Sequence, residues 1–321
     1  MRRPAAQAIV AAFAGLSVLL TACAPTSGTS PESSADGIVD VVASTSVYGD
    51  IAGAVGGDKV RVNSIIARTS QDPHSYEATT QDKLAVSKAE LVLENGGGYD
   101  DFIHKLAEDT GLEPSSVLNA VELSGLVPAE PAGESAAADA DGHARTPAGF
   151  NEHVWYSLPA MARLADAVAA RLGELEPSSA ESFRSNAAAF KDSLGGLEAK
   201  LEGIRASAGG ASVAVTEPVP MYLLDAAGLV NQTPAEYTAA IEEDTDVPPA
   251  VLKAATDLMA SGSIRLLAYN QQTEGPQTVA VKDAAAAAGV PVVNFSETLP
   301  DGVSYLQWMT ENVDNIGKAL A

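Results

Sequence analysis

Residues 177–206, PSSAESFRSNAAAFKDSLGGLEAKLEGIRA, decide the architecture, because they predict one unusually long helix. After Pro177-Ser178-Ser179, an apolar side chain recurs every three or four positions, which is the period of a helix with one buried face. These side chains are Phe183, Ala187, Phe190, Leu194, Leu197, Leu201 and Ile204. A helix of about 28 residues is roughly 42 Å long, since each residue adds about 1.5 Å. That length is sufficient to run along two small domains.

Strands and helices alternate on both sides of this helix. Short apolar or β-branched runs predict strands at residues 39–43, 60–66, 91–93, 116–120, 212–216, 265–269 and 292–295. Helices are predicted at residues 46–55, 79–88, 101–110, 158–175, 221–227, 249–260, 278–288 and 305–320. Such alternation indicates mostly parallel sheets covered by helices. We therefore expect an α/β protein of two α/β lobes, each a mostly parallel sheet flanked by helices, bridged by one long rigid helix.

The N-terminus has the pattern of an export signal. Arg2 and Arg3 precede an uncharged apolar run from Ala5 to Leu20, which has the proportions of a signal peptide. The sequence Leu20-Thr21-Ala22-Cys23 resembles the lipobox of bacterial lipoproteins, in which the cysteine thiol carries the lipid and becomes the mature N-terminus. The alternative is a signal peptide that contains an incidental cysteine. Residues after Cys23 are rich in Pro, Ser, Thr, Gly and Ala, which is typical of a flexible tether.

These patterns predict five segments. They are a signal peptide at 1–22, a lipid-anchored tether at 23–37, an N-terminal lobe at 38–176 with a mobile loop at 128–150, a bridging helix at 177–207 and a C-terminal lobe at 208–321. The loop lacks periodicity and is rich in Ala, Gly, Pro and acids.

Composition excludes several classes of partner and site. The chain has 321 residues, with 19 Lys and Arg against 42 Asp and Glu, so its formal net charge is −23. A polyanion such as nucleic acid or an anionic membrane surface is therefore not expected to bind the folded part. A cation is compatible with this charge. With one cysteine, the chain can form neither an internal disulfide nor a cysteine-based zinc site.

Candidate ligands follow predicted strands in both halves. His74 follows the second strand, and His153 lies between the acidic loop and a helix, whereas His104 and His143 lie in a helix and in the loop. Glu217 follows the strand at 212–216. Ligands of open α/β sheets bind beyond the carboxyl ends of strands, so two facing sheets predict a site in the cleft between them. The ordinary alternatives are a hydrogen-bonded role for each histidine and a helix-capping role for Glu217.

Three segments carry a resemblance to a known family. They are DPHSYE at 72–77, NEHVW at 151–155 and TEPVPMY at 216–222. The whole mature chain resembles the metal-binding solute-binding lipoproteins of bacterial ABC importers, the group that takes up zinc or manganese. The second segment departs from the family's DPHVW, because Asn-Glu replaces Asp-Pro. The resemblance implies two lobes bridged by a long helix and one metal in the cleft with two ligands per lobe, of which His74, His153 and Glu217 match the motifs.

The fourth ligand is less defined. Glu274 is the nearest carboxylate after the strand at 265–269 and is the residue that we predict. Thr273, Asn270, Gln271 or a water molecule are the alternatives. The loop before His153 also departs from the histidine-rich loop of zinc-binding members, since it contains only His143.

The resemblance implies an extracytoplasmic substrate-binding protein, anchored to the cell membrane through Cys23, that delivers Zn²⁺ to an ABC permease. Mn²⁺ is the alternative cargo, because two imidazoles and two carboxylates suit either ion. Four protein ligands leave no open position for a reactive water, so the chain is not expected to be an enzyme. We expect a monomer with no nucleic acid partner. The alternatives are a metal-free lipoprotein adhesin or structural module, and a metalloenzyme with a two-His-one-carboxylate site.

Overall fold

The structure is a computed structural model, and it describes residues 37–128, 147 and 149–321. The predicted signal peptide, Cys23, the tether before Gly37 and His143 lie outside the described residues. Within the described part, no helix is both long enough and apolar enough to cross a membrane.

The first half forms a four-stranded parallel sheet in the order β2-β1-β3-β4. Its strands are β1 (Val39–Thr45), β2 (Val60–Ile66), β3 (Leu91–Glu94) and β4 (Val117–Asn119). Its helices are α1 (Ser46–Gly56), α2 (Thr80–Val86), α3 (Asp101–Thr110) and α4 (Ala120–Ser124). Helix α4 was not predicted, and it begins where we expected a strand to end, because the Asn119 side chain caps it by accepting a hydrogen bond from the backbone of Glu122.

The second half forms another four-stranded parallel sheet in the order β6-β5-β7-β8. Its strands are β5 (Ser212–Val215), β6 (Val230–Asn231), β7 (Leu267–Asn270) and β8 (Val292–Phe295). Its helices are α7 (Met221–Ala226), α8 (Ala235–Glu242), α9 (Pro249–Ala260), α10 (Pro276–Ala287) and α11 (Tyr305–Leu320). Strand β6 and helix α8 were missed, because a two-residue strand and a short helix of weak apolar periodicity give little sequence signal.

Along the chain, two long helices follow the first sheet and precede the second: α5 (Leu158–Leu175) and α6 (Ala180–Ala208). Six of the seven side chains in the predicted apolar stripe of α6 are buried. They belong to one continuous apolar cluster that includes Val41 and Leu93 of the first sheet and Val213 and Phe295 of the second. Helix α6 also packs on α1, α5 and α11, so it connects both halves. The predicted two-lobed α/β fold with a long helix is confirmed.

Candidate metal centre

His74 lies in the loop after β2, at the carboxyl end of the first sheet. Asp72 organises this loop, because its carboxylate accepts hydrogen bonds from the backbone N–H of His74, at 3.0 Å, and from the hydroxyl of Ser75, at 2.8 Å. The imidazole meets the ring of Tyr99 edge-on, with 4.9 Å between centroids. One third of the His74 side chain remains exposed, so the ring is held at the surface of a cleft.

His153 is almost completely buried, and its ring has one defined orientation. The Oδ1 atom of Asn151 accepts a hydrogen bond from the backbone N–H of His153 at 3.1 Å and lies 2.7 Å from its Nδ1. Since this amide oxygen can only accept, Nδ1 carries the hydrogen and Nε2 keeps the lone pair. Burial, followed by the neighbouring charge of His74, lowers the pKa of His153 to about 3. The ring is therefore neutral and ready to bind a cation.

A second set of contacts fixes the loop that carries His153. The side-chain amide of Asn95 donates to the backbone carbonyl of Glu152 at 3.0 Å, and Asp100 accepts from the backbone of Asn95 at 2.7 Å. Between Asn95 and Asp100 the chain turns through three glycines with φ of 76°, 70° and 94°, a region that side-chain-bearing residues rarely adopt. The glycine segment is thus a turn, and it positions the loop of His153.

Glu217 and Glu297 lie side by side at the carboxyl end of the second sheet. Glu217 follows β5, and its carboxylate accepts from the Thr273 hydroxyl at 2.7 Å and from the Asn270 amide. Glu297 follows β8 and accepts from the same amide at 2.8 Å. Asn270, the last residue of β7, therefore bridges both carboxylates. These bonds orient Glu217 into the cleft, in place of a cap for α7.

Burial shifts both carboxylates towards the protonated form. It raises the pKa of Glu217, and it raises the pKa of Glu297 to about 8, with the charge of Glu217 as the second cause. Two anions that repel each other in a buried site create a strong local preference for a cation.

Tyr99 connects the two lobes at this point. Its hydroxyl donates to Glu297 at 3.2 Å, and its ring lies 4.7 Å from Trp155, between centroids. Neither Tyr99 nor Glu297 was predicted as a site residue. For Glu297 a signal existed, because the residue follows a predicted strand as Glu217 does, and Pro300 comes three residues later.

The structure brings His74, His153 and Glu297 into a group of metal-binding size. One ligand atom from each lies within 4.8 Å of the other two. Glu217 is not one of these three residues, but its carboxylate is bound to the same Asn270 amide as that of Glu297. The residues line a cavity of about 790 Å³ at the carboxyl ends of both sheets. We use the name "inner group" for His74, His153, Glu217 and Glu297.

Glu274, the fourth ligand predicted from sequence, lines the same cavity but is not brought into this group. Half of its side chain is exposed, and its carboxylate binds Lys282 at 3.0 Å and the Tyr269 hydroxyl at 2.9 Å. The hydrogen bond from Lys282 is the main cause that lowers the pKa of Glu274. Two of the alternatives, Asn270 and Thr273, use their donor groups on the two buried carboxylates.

A sequence model of the family described as "Zinc-uptake complex component A periplasmic" matches residues 41–319. The chain belongs to this family. It is a substrate-binding component of a metal-uptake system and not an enzyme.

Individual proteins and solved structures resemble the chain at modest identity. The manganese ABC transporter substrate-binding lipoprotein scaA of Streptococcus gordonii is 26% identical over 98% of this chain and 97% of its own length. The manganese-binding lipoprotein MntA of Bacillus subtilis (strain 168) is 30% identical over 59% of this chain, and the match spans 56% of MntA. The periplasmic zinc binding protein TroA from Treponema pallidum has the same fold, with a TM-score of 0.68 and 20% identity over 89% of this chain and all of that one.

Proposed function

We propose that this chain binds one divalent transition-metal cation through the inner group and delivers it to the permease of an ABC importer. The observation that carries the proposal is the meeting of His74, His153 and Glu297 within 4.8 Å, although 79 and 144 positions separate them in sequence. Only the folded cleft assembles this set. Because the ligands come from both lobes, a bound ion couples the lobes and gives the permease a conformation to recognise.

Two neutral imidazoles and two carboxylates compensate the charge of a divalent ion. This balance offsets part of the cost of taking the ion out of water. With Glu217 as the fourth ligand, the set would be complete without a water ligand, which suits storage and transfer of the ion rather than activation of a water molecule.

We propose Zn²⁺ as the ion that binds more tightly, with Mn²⁺ as the alternative cargo. Imidazole ligands suit Zn²⁺, while carboxylates suit Mn²⁺, and at a given N/O site Zn²⁺ stands above Mn²⁺ in affinity. The family description names zinc, and the names of scaA and MntA specify manganese for those two proteins. Physiological cargo also depends on which ion is available.

The anchor forms part of the proposal. We infer that Cys23 carries a lipid after removal of residues 1–22 and holds the protein outside the cytoplasm at the cell membrane, as a monomer. The motif Leu20-Thr21-Ala22-Cys23 supports this, as does the word lipoprotein in the names of both relatives. The tether after Cys23 would let the folded part reach a permease in the same membrane.

Metal titration of histidine variants tests the proposal. The mature protein is stripped of metal and titrated calorimetrically with Zn²⁺, and then with Mn²⁺ in competition. His74→Ala and His153→Ala should each lose most of the affinity, because each removes a coordinate bond and admits water. His104→Ala is the matched control, since His104 binds Glu94 and lies outside the inner group. Wild-type affinity in His74→Ala would refute the proposed site.

A further inference from the structure

Glu242 occupies an electrostatically unfavourable position. It is the last residue of α8, where the helix dipole disfavours an anion. It is half-buried, and the charges of Glu152, Glu217 and Glu297 act on it. Among the described residues, no cation pairs with its carboxylate and no donor hydrogen-bonds to it. An unpaired, partly buried carboxylate at a helix C-terminus lowers the stability of the fold. Its presence in a binding cleft indicates a functional role.

Glu242 belongs to a second group of metal-binding size. One ligand atom each from Glu152, His153 and Glu242 lie within 4.8 Å of one another. Glu152 is buried beside the inner group, and its Oε1 is 3.9 Å from the Nε2 of His74. One imidazole and two carboxylates are donors that Zn²⁺ and Mn²⁺ both accept. None of the sequence motifs selected Glu152 or Glu242 as a ligand.

Both groups depend on His153, and this sharing limits them to one ion. Asn151 holds the Nδ1 hydrogen of His153, so Nε2 offers a single lone pair. An ion bound by Glu152 and Glu242 therefore excludes one bound by the inner group through the same nitrogen. The two groups are alternative positions for one ion, and His153 can stay bound while the carboxylates exchange.

The direction of movement follows from ligand number and from the surroundings. Each group brings three ligand atoms together, but the inner group has a further buried carboxylate, that of Glu217, which is bound to the same Asn270 amide as Glu297. An ion that moves to the inner group can therefore gain a ligand and stability. Directly after Glu242, the exposed acidic residues Glu243, Asp244 and Asp246 line the same cavity. Such a surface concentrates cations from solution next to Glu242.

We propose that Glu152, His153 and Glu242 form a receiving position, where an incoming divalent transition-metal ion binds before it passes to the inner group. This inference rests on the proposed function. It assigns to Glu152 and Glu242 the role of transient ligands, and it assigns to His153 the role of the ligand common to both positions.

Association kinetics test the receiving position. The ring of Trp155 lies 5.1 Å from that of His153, between centroids, so tryptophan fluorescence in stopped flow reports the arrival of Zn²⁺. Glu242→Gln should reduce the association rate about tenfold, because it removes one of the three ligands that receive the ion; this equals the lower end of the affinity loss caused by removing a supporting group at a metal site. Glu243→Gln is the matched control, because it removes the same charge from the adjacent exposed position and should lower the rate only by the small, salt-sensitive contribution of one surface charge. If both variants slow association equally, and high salt abolishes this effect, the rate depends only on the overall negative charge of the cleft. That result would overturn the proposal.

A second measurement isolates binding at the receiving position. His74→Ala disables the inner group and leaves Glu152, His153 and Glu242 intact. Its residual Zn²⁺ affinity should fall again, by about tenfold or more, when Glu242→Gln is added. If the residual affinity is unchanged by Glu242→Gln, the receiving position does not exist. If the wild-type protein binds neither Zn²⁺ nor Mn²⁺, the proposed function itself fails, so the two failures are distinct.

Discussion

The substitution Glu297→Gln should stabilise the metal-free protein at neutral pH while it weakens metal binding. The folded protein raises the pKa of Glu297 from 4.5 to about 8, so between these values it binds a proton that the unfolded chain has released. When the folded state binds more protons, the free energy of unfolding falls as pH rises. Glutamine keeps the shape of glutamate, does not titrate and adds no buried charge.

The magnitude follows from the distance between the two pKa values. At about pH 7 the free energy of unfolding of the wild type is about 3 kcal/mol lower than in acidic solution. This follows because pH 7 lies about 2.5 pH units above the pKa of Glu297 in the unfolded chain, and each unit is worth about 1.4 kcal/mol. Glutamine accepts at one oxygen only, so one of the two bonds from Asn270 and Tyr99 is lost or rearranged. That loss costs about 1 kcal/mol. The variant should thus be more stable than the wild type by about 2 kcal/mol at neutral pH and less stable by about 1 kcal/mol near pH 4.5.

Urea unfolding of both proteins in a chelator, at several pH values between about 4.5 and 8, measures this difference. The difference in free energy of unfolding between the variant and the wild type should change sign across this pH range. Addition of Zn²⁺ at neutral pH should then stabilise the wild type far more than the variant, because stabilisation follows RT ln(1 + [L]/Kd). A variant that is less stable at every pH and keeps the full Zn²⁺ effect would show that Glu297 is a structural acceptor and not a ligand.

Four further outcomes are expected. Asn151→Ala should lower Zn²⁺ affinity about 10- to 100-fold by calorimetry, because the ring of His153 loses its orientation, and Asn151→Asp should restore it. Zn²⁺ affinity should rise between about pH 6 and pH 8 as the ion displaces the proton of Glu297, with proton release measured in buffers of different ionisation enthalpy; a flat profile would contradict the pKa of about 8. Glu274→Gln should titrate with near-native affinity, and a large loss would return the fourth ligand to that residue. Cys23→Ala should shift the protein from the membrane to the soluble fraction. If a fatty-acid analogue still labels this variant, Cys23 is not the lipidated residue.

The sequence predicted those features that short stretches of chain encode. The stripe from Phe183 to Ile204 predicts a long helix with one buried face, since the spacing of its apolar side chains follows the helical period. The β-branched runs at β1 and β5 became buried parallel strands for the same local reason. The motifs around His74, His153 and Glu217 identified three candidate ligands, because each places a metal-binding side chain in a short polar segment outside the predicted helices and strands.

The sequence could not distinguish Glu274 from Glu297, since both follow a strand and precede a proline. Tertiary structure separates them. Strand β8 pairs with β7, which places Glu297 against Asn270 and opposite Tyr99. Helix α10 presents Lys282 to Glu274 and holds that carboxylate at the rim. Glu242 could not be predicted from the sequence either, because its helix is short and its distance to His153 depends on how the two lobes pack together. Donor identity is local and can be predicted, whereas the distance between donors 79 or 144 positions apart depends on strand order and lobe packing, which no local pattern encodes.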